Sequence, residues 1–183
     1  MIILVLLFIL IAVLTINTIK ASKNARKLKE FKPFYNEKEI GFYVNRLAKM
    51  IQCKTVSNKD SFDDTEFAKL RNVMVELFPT VHKVAEKMTF SDDCWIYRIK
   101  GQDENRNIML MSHHDVVDAT GEWTYEGFGG EIADGKIWGR GTVDTKTPLF
   151  AEFSALEELL NEGYEPPCNI WIGSSHNEEI GGD

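Results

Sequence analysis

The stretch NIMLMSHHDVV, residues 107–117, decides how the chain folds. Its first five residues form a compact apolar run, and two imidazoles and a carboxylate follow at once. Such a run, bounded by polar residues, is the pattern of a strand buried on both faces of a helix-covered sheet. CNIWI at residues 168–172 has the same character. Between the two, Thr147 as N-cap, Pro148 at the first helical position, the stripe Leu149, Phe153, Leu156, Leu160 and the stop Gly163 predict a helix. Strand, helix, strand in that order predicts a parallel pair. The expected fold is therefore α/β, a three-layer αβα sandwich around a mostly parallel central sheet. Ligands in such sheets gather at the carboxyl ends of the strands, which is where His113 and Glu178 fall.

Upstream, residues 1–19 are apolar apart from Thr15, Asn17 and Thr18. At about 1.5 Å per residue they are just long enough to cross a roughly 30 Å hydrocarbon core. No Lys or Arg precedes the run, and Lys20 spoils the small-residue context at Ala21, so a transmembrane helix is favoured over a cleaved signal peptide. Lys20, Lys23, Arg26, Lys27, Lys29 and Lys32 all follow it, which by the positive-inside rule favours a single-pass membrane protein with its catalytic part in the cytoplasm. Residues 20–36 read as a juxtamembrane linker. From Glu37, the spacing of Ile40, Val44, Leu47 and Ile51 predicts an amphipathic helix that opens the soluble part, residues 37–183. Asp63 or Asp64 can cap a second helix facing inward with Phe67, Leu70, Met74 and Leu77 or Phe78, and Pro79 is expected to stop it. Residues 84–90 and 95–100 are strand candidates joined by a polar turn. His82 lies outside any cluster and reads as a surface residue.

A net charge of −7 with no basic patch in the soluble part argues against a nucleic-acid partner. Cys53, Cys94 and Cys168 lack paired or C-x-x-C spacing and read as three packed or semi-buried thiols.

Three polar clusters carry the chemistry: SHHDVV at residues 112–117, GRGTVDTK at 139–146 and HNEEIGGD at 176–183. His113 and Asp115 leave the same face of an extended strand, so the carboxylate can orient the ring as a metal ligand, while His114 points away. A His-x-Asp triplet alone fits a strand-end histidine satisfied by backbone groups just as well. Asp144 follows two glycines that allow close backbone approach, and one aspartate can bridge two cations about 3.5 to 4 Å apart. An ordinary turn carboxylate is the alternative. Lys146 at a helix N-terminus opposes the macrodipole, so it either pairs with a carboxylate or serves the site. Glu178 and Glu179 are adjacent carboxylates whose repulsion a cation or a proton would relieve. His176 does not complete a spaced H-E-x-x-H motif and stays outside the ligand set.

Taken with WTYEGFGGEIADGKIWGRGTVDTK at residues 123–146 and NEEIGG at 177–182, these clusters resemble the di-zinc metallopeptidase family that includes carboxypeptidase G, carboxypeptidase S and the aminoacylases. The helix from Glu37 and TVS at residues 55–57 also sit where that family begins its catalytic domain. The resemblance implies that His113 is a ligand of one zinc, Asp115 the carboxylate positioning it, Asp144 the bridge, Glu178 the general base and Glu179 a ligand of the second zinc. It implies hydrolysis of an amide bond in a peptide or an N-acyl amino acid, with two zinc ions as cofactor. Asp118, Thr147 and Asn177 depart from the usual residues without removing a ligand.

Members continue past the Glu-Glu motif with one more acidic ligand, a distant histidine and a lid domain through which they often dimerise. Ending at Asp183, the chain is expected to be an N-terminal fragment that binds metal weakly and is inactive alone. A membrane-tethered, non-catalytic binding module is the reading from another class.

Overall fold

In the computed structural model, which describes residues 2–24 and 37–182, the apolar N-terminal run forms one helix, α1 (Ile2–Asn24). Thr15 and Thr18 return their hydroxyls to the carbonyls of Ile11 and Leu14, so neither needs an outside partner in an apolar setting. Residues Leu4–Lys23 are long and apolar enough to cross a membrane, a test that signal sequences also pass. The helix runs past residue 19 and takes in Lys20 and Lys23. The rest of the expected linker, residues 25–36, lies outside the described residues, as does Asp183. Residues 1–35 and 36–183 form separate units.

The second unit opens with α2 (Glu37–Ile51), followed by α3 (Asp64–Leu77) and the short α4 (Pro79–Val84). Asp63 caps α3 by accepting the Thr65 N–H, and Phe67, Leu70, Met74 and Leu77 turn inward. In α2 the inward face is Leu47, Met50 and Ile51, whereas Ile40 in the first turn is exposed. Pro79 ends α3 but also begins α4, because a helix's first position has no N–H to satisfy. The following strand is thus shorter than expected. β1 (Glu86–Phe90) pairs antiparallel with β2 (Cys94–Ile99) through a three-residue turn. His82 belongs to α4, half-buried, with its ring nitrogens on the Phe78 carbonyl and the Tyr97 hydroxyl. It is a packed residue rather than a surface one.

β3 (Asp103–His113) leads through a small hairpin, β4 (Glu131–Ala133) with β5 (Lys136–Trp138), to α5 (Lys146–Asn161) and then β6 (Cys168–Ser175). The sheet order is β1-β2-β6-β3. β3 and β6 are the predicted parallel pair, with Ile108 opposite Ile170 and Leu110 opposite Ile172. β2 runs antiparallel to β6, and the tight β1–β2 turn makes that pair antiparallel too, so the described sheet is mixed, with one parallel pair beside two antiparallel ones. One apolar cluster joins α2, α3, α4 and α5 to Trp95, Tyr97, Ile99, Ile170 and Ile172. Among the described residues that cluster covers one face of the sheet, in keeping with an α/β sandwich present in part.

β6 is buried along its length as expected. β3 is not: it is the sheet's edge, and Ile108, Met109, Leu110 and Met111 are all exposed, Met111 by 75%. The N-cap of α5 is Thr145 rather than Thr147, whose hydroxyl instead donates to the Thr142 carbonyl. Pro148 consequently occupies the third helical position, still within the turn whose N–H groups lack helical partners.

Phe153, fully buried, meets Tyr97 edge-on at 5.0 Å and Phe78 at 5.4 Å. Phe153→Ala should cost about 3–5 kcal/mol in chemical denaturation. Met111→Ser on the open edge should stay within about 0.5 kcal/mol in the same measurement.

Candidate metal centre

His113 is the last residue of β3, and Thr145 pins it. The Thr145 hydroxyl accepts the His113 N–H at 3.0 Å and donates to its carbonyl at 2.9 Å. That clasp fixes the start of α5 against the end of β3 and brings Asp144 alongside, joined to Thr145 by a cis peptide bond. The preceding turn needs glycine at 141. Its φ is +83°, and a Cβ there would lie 2.8 Å from Val116 Cγ1 and 3.2 Å from Lys146 Cδ.

Lys146 does neither of the things its position suggested. Its fully buried ammonium donates to the carbonyls of Met50 at 3.1 Å and Cys53 at 2.6 Å, at the C-terminal end of α2. There it satisfies acceptors that a helix end leaves open and meets the negative pole of the helix. Burial nevertheless dominates its titration and brings its pKa down to about 8.

The buried Asp115 carboxylate joins the ends of β3 and β6. Oδ1 lies 3.2 Å from His113 Nδ1 and accepts the Glu178 N–H at 3.2 Å, while Oδ2 accepts the Glu179 N–H at 3.1 Å. Burial opposes its charge, but the His113 ring and the Glu179 N–H hold the carboxyl below its usual range. With Nδ1 committed to Asp115, His113 turns Nε2 outward, 3.0 Å from Asp144 Oδ1 and 3.5 Å from Glu178 Oε2. Burial likewise disfavours a charged His113 ring. The hydrogen bond and charge of Asp115, with the Asp144 contact, outweigh it and push the pKa up to about 9.

One donor atom each from His113, Asp144 and Glu179 lies within 4.8 Å of the others. Zinc bonds nitrogen and carboxylate oxygen at about 2.0–2.2 Å, so two donors sharing an ion come within roughly 4.4 Å of each other, while donors on two ions joined by one carboxylate can stand farther apart. Asp144 is 69% exposed and Glu179 half-buried, which leaves both free to close that small gap. One imidazole with two carboxylates is a donor set that suits zinc. Glu178, in the 3-10 turn Glu178–Ile180, stands beside it with its side chain in the open.

His114 points away as expected, stacked on Trp95 at 3.9 Å with Nδ1 2.8 Å from the Ser174 hydroxyl. Complete burial drives its pKa down to about 4, so it is a neutral packing group. His176 faces Cys94 and not the three donors.

Residues 109–183 match the model of peptidase family M20/M25/M40. Among curated proteins, the chain is 38% identical to the probable carboxypeptidase S-like 2 of Dictyostelium discoideum, over 75% of this chain and 28% of that protein. It is 33% identical to the N-fatty-acyl-amino acid synthase/hydrolase PM20D1 of Xenopus tropicalis, over 80% of this chain and 30% of that one. The chain thus spans under a third of the length of these relatives. Among solved structures, human carnosine dipeptidase 1 superposes with a TM-score of 0.64 at 20% identity, covering 77% of this chain and 33% of that one, a likeness of fold.

The raised His113 pKa gives a signed prediction. Without metal, its protonated ring supports the fold fully below about pH 6.5, a contribution lost as pH rises through about 9. A metal needs the neutral ring, so zinc titrated at pH 7 should release about one proton from this group, and affinity should strengthen about tenfold per unit towards pH 9. Calorimetry in buffers of different ionisation enthalpy measures the release; zinc binding with none at all would show that the His113 ring is not charged at pH 7 in the metal-free protein.

Proposed function

We propose that the chain serves metal-dependent hydrolysis of an amide bond in a peptide or an N-acyl amino acid, a reading that the match of residues 109–183 to the model of peptidase family M20/M25/M40 supports. The observation that carries this reading is the convergence of His113, Asp144 and Glu179 beside Glu178 at the carboxyl ends of β3 and β6. In the proposal His113 and Asp144 hold one zinc ion, and Asp144 and Glu179 hold a second. The ions supply Lewis acidity at the scissile carbonyl and ease the ionisation of water.

The remaining work falls to the chain itself. Asp115 keeps the His113 ring turned so that Nε2 faces outward. Glu178 takes the proton of the attacking water and returns it to the leaving nitrogen. The relatives' names cover both carboxypeptidase and N-fatty-acyl-amino acid chemistry, which motivates the two substrate classes. In the same proposal α1 anchors the protein in a membrane, with Lys20 and Lys23 at its cytoplasmic end.

In a zinc-loaded chain extended over the full length of these relatives and assayed on dipeptides and N-acyl amino acids, Glu178→Gln should lower kcat by about 10²- to 10⁴-fold while zinc content by atomic absorption stays unchanged. Turnover that survives the change would remove Glu178 from the role of base.

A further inference from the structure

Glu178 lines one wall of a cavity of about 490 Å³ whose lining also includes a thiol with no part in the proposed hydrolysis. That thiol is Cys94, the half-buried first residue of β2, with Sγ 3.3 Å from His176 Nδ1. The His176 ring is buried and held edge-on by Phe62 at 5.2 Å and Phe67 at 6.3 Å, so its orientation is fixed. On the far side, Nε2 lies 3.9 Å from Asp92 Oδ2, whose side chain is 62% exposed. That carboxylate stands beyond direct hydrogen-bond reach and acts on the ring through its charge, favouring a proton on Nε2, and that tautomer leaves the Nδ1 lone pair facing the thiol. Thiol, imidazole and carboxylate in that order is the arrangement that activates a sulfur nucleophile. The other two cysteines are built differently. Cys53 is buried and donates to the Lys49 carbonyl, and burial raises its pKa, while Cys168 is buried at the start of β6.

We propose that Cys94 is a thiol-modification site, at which a small-molecule disulfide of the glutathione type exchanges to leave a mixed disulfide in the cavity beside Glu178. His176 Nδ1 takes the proton of Cys94 as its sulfur attacks one sulfur of the reagent. The reagent's S–S bond breaks, a new S–S bond forms on Cys94, and the departing thiolate recovers the proton from His176. The disulfide is itself the oxidant, so no other co-reactant is needed. The step uses neither a metal nor Glu178 as a base, so it stands or falls apart from the hydrolytic reading.

The test is incubation of the folded protein with glutathione disulfide, with adducts located by peptide mass spectrometry. One adduct is expected, on Cys94, reversed by dithiothreitol and formed at least about tenfold faster than any on Cys53 or Cys168. His176→Gln should slow it by about tenfold or more. Because that ring is buried, Asp92→Asn at an exposed position gives an independent arm, with a severalfold slowing expected while circular dichroism stays native. Adducts favouring Cys53 or Cys168, no adduct on Cys94, or a Cys94 rate indifferent to the natively folded variants would each overturn the proposal.

Discussion

The arrangement at the sheet's end depends on a single buried carboxylate. A charge out of water costs several kcal/mol unless its lone pairs are occupied, so Asp115 holds its position only while every partner is in place. Among those partners are the His113 ring from β3 and two consecutive backbone N–H groups past β6. One side chain therefore fixes the register between two strand ends, the tautomer of the ring and the direction in which Glu178 and Glu179 leave the backbone. The raised pKa of His113 and the depressed one of Asp115 are two views of that bond.

Where local signals and tertiary packing agree, the fold was legible. The Asp63 cap and the four inward residues of α3 follow from spacing, as do the stripe of α5 and the burial of β6. The errors have physical causes. NIMLM has the composition of a central strand, but composition cannot distinguish the middle of a sheet from an edge, which depends on neighbours far away in sequence. α4 went unseen because proline reads equally as the end of one helix and the first residue of the next. The β4–β5 hairpin has three residues per strand, too few for alternation to register.

Three ordered motifs pointed to His113, Asp144, Glu178 and Glu179, which the fold brings close together, and the expected same-face relation of His113 and Asp115 follows from strand geometry. What could not be read is how the remaining polar groups are satisfied. The backbone N–H groups on Asp115 carry no residue signature, and Cys94 and His176 are separated by 82 positions. Lys146 was recognised as anomalous without its acceptors, since those are carbonyls, which every residue possesses.

Lys146 has a consequence for how such a centre can be inherited or borrowed. Its ammonium sits two residues beyond Asp144 yet is solvated by the end of a helix whose last turn lies more than ninety positions earlier in the chain. A graft that carried only the motif loops into another sheet would strand that cation in an apolar interior, and trimming the helix would do the same from the other side. The Asp144 loop and α2 therefore travel as a pair, and a transplant has to include both.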